Sequence, residues 1–328
     1  MTPDTVLVLR ALGLGDTATG IAALRGVRRA WPVSRIVVAA PSRYGDWLRG
    51  LGLVDEVLNT RGLDRLDWPS GAHVAVNLHG CGPQSHWILQ ATRPVRLVAF
   101  RCDAAGHELG PDWSWDEHEV ARWCRLVSDA GGSCCPEDLR LPRLAPEHGA
   151  VVVHPGAASA SRRWPEDRWR QVVRALVDRG HDVAVTGAHG ESGLCARITR
   201  GLPRVRNLAG QLSVPALADR VAGAPLLLAG DTGPAHLATA FGTPSVLLFG
   251  PTSPARWGPA IDADRHVLLW HGEPGHGDPH ADGVDPALAR IDVSEVLEAA
   301  SSLLSAPLEG TPDSAPDRVG AERYVADR

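Results

Sequence analysis

The chain contains no lysine: all 33 of its basic side chains are arginine. Any fixed positive charge that meets a phosphate must therefore be a planar guanidinium fork. Methionine (1), tyrosine (2) and phenylalanine (3) are also scarce, the profile of a GC-rich coding sequence. No window of about 20 uninterrupted apolar residues occurs, which argues against a transmembrane helix. The opening MTPDTVLVLRALGLGD has no basic leader and runs straight into a strand pattern, so it does not read as a signal peptide. The cysteines, at 81, 102, 124, 134, 135 and 195, form no CxxC, and five of the six lie in the first half. Neither a zinc framework nor a secreted disulfide scaffold fits that spacing. A net charge of −5 argues against a nucleic-acid binder that works by bulk electrostatics. Together these absences predict a cytoplasmic protein with reduced thiols.

What is present is 328 residues, 44% apolar and 22% charged, enough for a substantial core and excluding wholesale disorder. At about 150 residues per domain, that length predicts two domains. Thr5–Arg10 reads as a buried strand, and Thr17–Trp31 as a helix with Ile21, Leu24, Val27 and Trp31 inward. Further strands are expected at Arg35–Ala39, His73–Leu78 and Val95–Phe100, and a helix at Asp116–Ala130. Pro136–Gly149 has the composition of a linker. A second cycle then opens with strand Ala150–His154. It continues through helix Pro165–Arg179, strand Asp182–Thr186, helix Gly190–Arg200, strand Pro225–Ala229, helix Pro234–Phe241 and strand Ser245–Phe249. Strands alternating with helices of this length predict βαβ units and parallel sheets. The expected division is 1–140, 141–304 and a mobile tail over 305–328, with ligands bound where the carboxyl ends of the two sheets face each other.

Four strand–helix junctions concentrate small and polar residues. Gly13-Leu14-Gly15-Asp16 follows the first strand, where the glycines allow close backbone approach and Asp16 is expected to cap the next helix. The spacing is not that of a dinucleotide fingerprint, and no acid closes the second strand. In Gly230–His236, Pro234 suits the first helical position, and Thr232 and Gly233 lie near the cap. The free backbone N–H groups there make an anion site within reach of His236, beside Asp231. Ser159, Ser161, Arg162 and Arg163 precede the helix at Pro165, a grouping suited to a diphosphate and equally compatible with solvated surface charge. Glu191, after Thr186, is placed either to bind ribose hydroxyls or to favour the first turn of its own helix. His271, His276 and His280 are too loosely spaced for a metal site. Asp262-Ala263-Asp264 lacks the preceding apolar strand that a metal-binding DxD requires and reads as a solvated loop. Most of the eleven tryptophans read as core or interface anchors.

With those residues in place, the chain from about Thr5 to Leu304 resembles glycosyltransferase family 9, the ADP-heptose heptosyltransferase family. The stretch that carries the resemblance most specifically is GDTGPAHLATAFGTPSVLLFGPTSPARWGP (Gly230–Pro259), supported by HPGAASASRRWP (His154–Pro165) and LGLGD (Leu12–Asp16). The resemblance implies the α/β GT-B architecture: two Rossmann-like domains with parallel sheets, an acceptor side and a donor side, facing a cleft. It implies inverting, metal-independent transfer of a heptose-like sugar from a nucleoside-diphosphate donor, ADP favoured, to a glycan or glycolipid hydroxyl. Asp16 matches the family's proposed base, and Gly13 and Gly15 its loop. Arg162 falls where the family usually has a lysine that contacts donor phosphates, with Ser159 and Ser161 beside it. Thr232 and Gly233 match the phosphate turn, Asp231 the residue near the donor sugar, and His236 a donor-site side chain. Glu191 matches a ribose-binding acid. No metal or other cofactor is implied, no nucleic acid, and a location in the cytoplasm or at the inner face of the membrane. In NLHGCGPQS (Asn77–Ser85), Gln84 stands where the family often carries a basic residue linked to an anionic acceptor. Two other readings stay open: a non-catalytic nucleotide-sugar or glycan-binding protein of the same fold, and, disfavoured by the missing glycine and acid, an NAD(P) oxidoreductase.

Overall fold

The computed structural model describes residues 4–69, 71–143, 149–275 and 277–305. The first half runs β1 (Thr5–Leu9), α1 (Leu14–Thr19), α2 (Ile21–Ala30), β2 (Arg35–Ala40), α3 (Ser42–Gly50) and β3 (Glu56–Asn59). It continues with β4 (Val74–Asn77), α4 (Gln84–Ala91), β5 (Arg96–Val98) and α5 (Glu119–Asp129). The second half runs β6 (Val151–His154), α6 (Glu166–Asp178), β7 (Val183–Val185), α7 (Ser192–Thr199), β8 (Val205–Asn207) and α8 (Val214–Ala222). It closes with β9 (Leu227–Gly230), α9 (Gly233–Phe241), β10 (Ser245–Phe249), α10 (Pro254–Trp257), β11 (His266–Trp270), α11 (Pro286–Arg290) and α12 (Val293–Ser305).

Two parallel sheets result, in the orders β3-β2-β1-β4-β5 and β11-β10-β9-β6-β7-β8. Both are of the α/β GT-B type that the motifs implied. The central strands are apolar throughout because helices cover both faces of each sheet. In β1 the two-residue alternation sends Val6 and Val8 into the core under α2, and Leu7 and Leu9 into a separate cluster on the other face. Ile21, Leu24 and Val27 of α2 are fully buried, each worth about 1.5–3 kcal/mol of apolar burial. One apolar cluster crosses between the halves, joining Val6, Leu24 and Trp123 to Ala218, Leu237, Phe241 and Leu247. No helix among the described residues is long and apolar enough to cross a membrane, and the six cysteines are all free.

The expected single helix over Thr17–Trp31 is divided at Gly20, between α1 and α2. The reason lies beneath it. A Cβ at Gly20 would stand 2.5 Å from the Nε of the buried Arg10 guanidinium, so only glycine lets the chain pass. The helix expected from Asp116 begins at Glu119, where the His118 ring accepts the Val120 N–H at 3.2 Å. The linker is anchored, not free: Leu141 N–H donates to the Ala240 carbonyl at 2.7 Å, and Arg140 makes a two-pronged bond to Asp262 at 2.6 and 2.8 Å. That pairing occupies the first acid of the Asp262-Ala263-Asp264 run. Residues 144–148, His276 and the expected tail beyond 305 lie outside the described residues.

Gly20→Ala is the direct test of this packing. Arg10 is held by four hydrogen bonds and cannot swing aside, so we expect a loss of about 1–3 kcal/mol in unfolding free energy, read by urea denaturation.

Candidate active site

A cleft of about 790 Å³ lies between the two sheets, within the range of ligand sites for small molecules. Its walls come from segments that follow the carboxyl ends of strands. Gly13–Asp16 follows β1, and Arg43 and Tyr44 follow β2. His154, Arg162, Thr186, Glu191, Asp231–His236 and Thr252–Trp257 come from the second half. Nine of the residues singled out in the sequence converge here: Gly13, Gly15, Asp16, Arg162, Glu191, Asp231, Thr232, Gly233 and His236.

Asp16 does not take the capping position expected of it. Gly13 is the N-cap of α1, and Asp16 stands three residues in, with its Oδ2 3.5 Å from where a Gly13 Cβ would be. Burial pushes the Asp16 carboxyl above the usual carboxylate range. Arg10 opposes this, Glu119 reinforces it, and the backbone N–H groups of Asp16 and Gly13 lower it more weakly. Gly15 admits the other half of the molecule as much as a ligand: a Cβ there would lie 2.9 Å from the His236 ring.

Asp231 follows β9 and is 5% exposed. Its Oδ2 is 3.9 Å from Arg162 Nη1, and its Oδ1 is 3.9 Å from His236 Nε2. Burial raises the Asp231 carboxyl and lowers the His236 imidazole, so the desolvated pair resists charging from both sides. Nearby, His236 meets the edge of Trp257 at 5.8 Å. Thr232 caps α9 with extended backbone, yet its hydroxyl accepts no N–H, leaving the positive end of this nine-residue helix open to the cleft. Arg162 donates to the Asp231 carbonyl at 3.4 Å while its buried Nε has no partner among the described residues, and the same holds for the Nε of Arg256, also in the cleft wall. Two guanidinium groups with unused donors make this wall receptive to an oxyanion.

Ser159 and Ser161 are not in the wall. Ser159 donates to the Pro279 carbonyl at 2.6 Å, and the Ser161 backbone pairs with Ala281 and Asp285, so both hold the 279–285 segment in place. Arg163 turns back onto the Ala157 and Ala158 carbonyls at 2.8 and 3.4 Å. Glu191 lines the cleft and also accepts the Ala188 N–H at 2.7 Å, at the start of its own helix. Gly156 faces it closely: a Cβ there would fall 2.0 Å from Glu191 Oε1, so the carboxylate would have to move.

The structure adds residues that the motifs did not single out. His154 Nε2 stands 3.8 Å from Glu191 Oε2, its Nδ1 3.0 Å from the Thr186 hydroxyl, and burial pushes the ring down to about 4. Arg10 lies under the Asp16 loop, where the only sequence signal is a charge closing an apolar strand. Arg43, Tyr44, Thr252 and Arg256 carry no individual signal. Of the discounted histidines, His271 pairs with Glu295 at 2.8 Å and His280 reaches the cleft rim. Among the described residues, no group of three or more His, Cys, Asp or Glu side chains is arranged to hold a metal ion.

The family model described as glycosyltransferase family 9 (heptosyltransferase) matches residues 93–277. The chain is 33% identical over 236 residues to lipopolysaccharide heptosyltransferase 1 of Escherichia coli K12, covering 68% of this chain and 69% of that protein. It is 31% identical over 179 residues to lipopolysaccharide heptosyltransferase 1 of Pseudomonas aeruginosa, half of each chain. The chain thus spans about half the length of that relative, and 57% of lipopolysaccharide heptosyltransferase 3 of E. coli. Among solved structures, E. coli ADP-heptose lipopolysaccharide heptosyltransferase II superposes with a TM-score of 0.73 at 19% identity, over 92% of this chain and 98% of that one. E. coli heptosyltransferase WaaC with ADP gives 0.68 at 17%, over 91% and 99%.

His154 supplies a measurable consequence. Above the ordinary histidine value of 6.5 it is neutral whether folded or not. As pH falls from 6.5 towards 4, the unfolded chain takes up a proton that the folded site refuses. Stability contributed at neutral pH is therefore lost across that window, by about 3 kcal/mol from this residue. We expect His154→Gln to reduce the difference between urea midpoints at pH 7 and pH 4.5. An unchanged difference would show that His154 titrates normally in the fold.

Proposed function

Because the chain belongs to glycosyltransferase family 9, we propose that it transfers a heptose-like sugar from a nucleoside-diphosphate donor to a hydroxyl of a glycan or glycolipid. An ADP-linked donor is favoured, since a solved relative of this fold holds ADP. The observation that carries the reading is the meeting, in one cleft, of a buried carboxylate from the first half with an oxyanion-receptive wall from the second. The division of labour follows: residues 1–140 present the acceptor and 141–304 bind the donor.

In this reading Asp16 takes the proton from the acceptor hydroxyl as that oxygen attacks the anomeric carbon, giving inversion. The raised carboxyl suits the task, because a base works best when its pKa approaches the working pH. As the bond from the sugar to the diphosphate breaks, negative charge grows on the leaving oxygen. Arg162, the Thr232–Gly233 turn and the positive end of α9 stabilise it without a metal ion. Glu191 receives ribose hydroxyls, Asp231 faces the sugar, and His236 completes the floor. A protein acting so on a cell-envelope precursor works in the cytoplasm or against the inner membrane face.

Asp16→Asn separates base from scaffold. Asparagine keeps the size and most hydrogen bonds but takes up no proton, so turnover should fall by about 10²–10⁴ with melting and donor affinity near wild type. Release of ADP from an ADP-heptose donor, assayed in EDTA, is the measurement. A variant as active as wild type would leave Asp16 a structural role, and a wild type inert with every donor would favour a binding protein. Arg162→Ala should weaken ADP binding about ten- to a hundred-and-fifty-fold in calorimetry, the loss expected for hydrogen bonds to a charged partner. Arg163→Ala, whose fork is spent on its own loop, should not.

A further inference from the structure

Arg10 closes an apolar strand and is 1% exposed, an expensive place for a charge. Its fork reaches four acceptors. Nε donates to the Asp16 carbonyl and Nη1 to the Leu78 carbonyl, while Nη2 is shared between the Thr19 hydroxyl at 2.9 Å and Glu119 Oε1 at 3.3 Å. The guanidinium also lies 5.1 Å from the Trp123 ring centroid. One side chain thus ties the loop that carries Asp16 to the end of β4 and to α5. Glu119 is itself buried between Arg10 and Arg122, with Oε2 2.6 Å from Arg122 Nη1 and Oε1 accepting the Trp123 indole N–H at 2.6 Å. Arg122 Nη2 donates to the Ser114 and Glu117 carbonyls at 3.0 and 2.8 Å, its Nε is left unpaired among the described residues, and its guanidinium packs over Trp113 at 4.2 Å.

Charge accounting gives this cluster its meaning. Arg10, Glu119 and Arg122 leave one positive charge buried, and the carboxyl of Asp16, attached to the same loop, feels the charge of Arg10. A buried ion triad is a poor source of stability, because desolvation offsets the attraction. We infer that the Arg10–Glu119–Arg122 cluster is the positioning device of Asp16: Glu119 holds Arg10, Arg10 holds the loop that carries Asp16, and both charges stand within electrostatic reach of that loop. This rests on the reading of Asp16 as the base. Both influences on the Asp16 carboxyl run in the required directions, Arg10 lowering it and Glu119 raising it. The other charged groups facing this region are fixed across the comparison. Asp231 and His236 approach from the opposite wall, His79 lies beside Arg10, and Arg256 and Glu117 act on Arg122.

The test is a direct titration of Asp16. Full-length protein carrying ¹³C at the aspartate carboxyl carbons is followed by NMR against pH, and Asp16 is the resonance that Asp16→Asn removes. Glu119→Gln keeps the shape of the cluster and removes its one negative charge, so the Asp16 midpoint should fall by about one pH unit or more. Arg10→Met should raise it by a similar amount, and Arg10→Lys, which keeps the charge, should restore most of that rise. If Arg10→Met does not fold, Glu119→Gln still decides, read in protein whose melting and amide spectrum match wild type, because loosening that hydrates Asp16 would lower the midpoint as well. A midpoint that stays at the wild-type value in folded Glu119→Gln overturns the inference. The titration reads Asp16 whether or not it accepts a proton in turnover. An immobile midpoint therefore refutes this device and leaves the base reading, whereas a mobile midpoint with a fully active Asp16→Asn does the reverse.

Discussion

Everything in the cleft depends on how closely α1 approaches α9. A Cβ on Gly15 would press against the His236 ring, and one on Gly233 would lie 2.9 Å from Leu14 Cβ, so the two helix starts meet through glycine on both sides. Larger residues at either place would wedge the halves apart at the floor of the cleft. With the helices in contact, Asp16 and Asp231 come near enough for each carboxyl to feel the other's charge, although they lie on different sheets. The site is assembled by this contact and not by either half alone.

Much of this was legible in the sequence, and the reasons differ from residue to residue. Ser245–Phe249 is an unbroken apolar run, and the structure returns the same limits. The Gly230–His236 turn was readable because proline and glycine at a helix start restrict the backbone in only a few ways. Asp16 is legible as an acid beside the first strand but not in its position, since one sequence position cannot distinguish a cap from the third residue of a helix whose cap is glycine. The break at Gly20 was invisible because its cause is Arg10, ten residues earlier and beneath the helix. Ser159 and Ser161 looked like phosphate ligands from composition alone, yet their partners lie more than a hundred residues onward. Elements such as α3, with two glycines in nine residues, and the half-buried edge strand β3 lack the periodicity that a pattern search needs.

The electrostatics of the cleft are set more by burial than by net charge. Carboxyls on both walls are pushed upward, and His236 and His154 are pushed downward, so burial favours the neutral form of each. Against that background the guanidinium groups of Arg162 and Arg256 stand out for their unused donors among the described residues. A chain without lysine has little choice here, and the planar fork brings directionality that an ammonium would not.

The apolar cluster that runs from Val6 and Trp123 into Leu237 and Leu247 has a thermodynamic meaning of its own. Two halves joined only by a linker would melt as separate units, each with its own transition. Here the same buried surface belongs to both, reinforced by the Arg140–Asp262 pair and the Leu141–Ala240 hydrogen bond. Opening either half would expose apolar surface of the other, so the free energies of the two are coupled. The same seam resists separation of the halves, since any widening of the cleft at that point must bring buried apolar side chains to water.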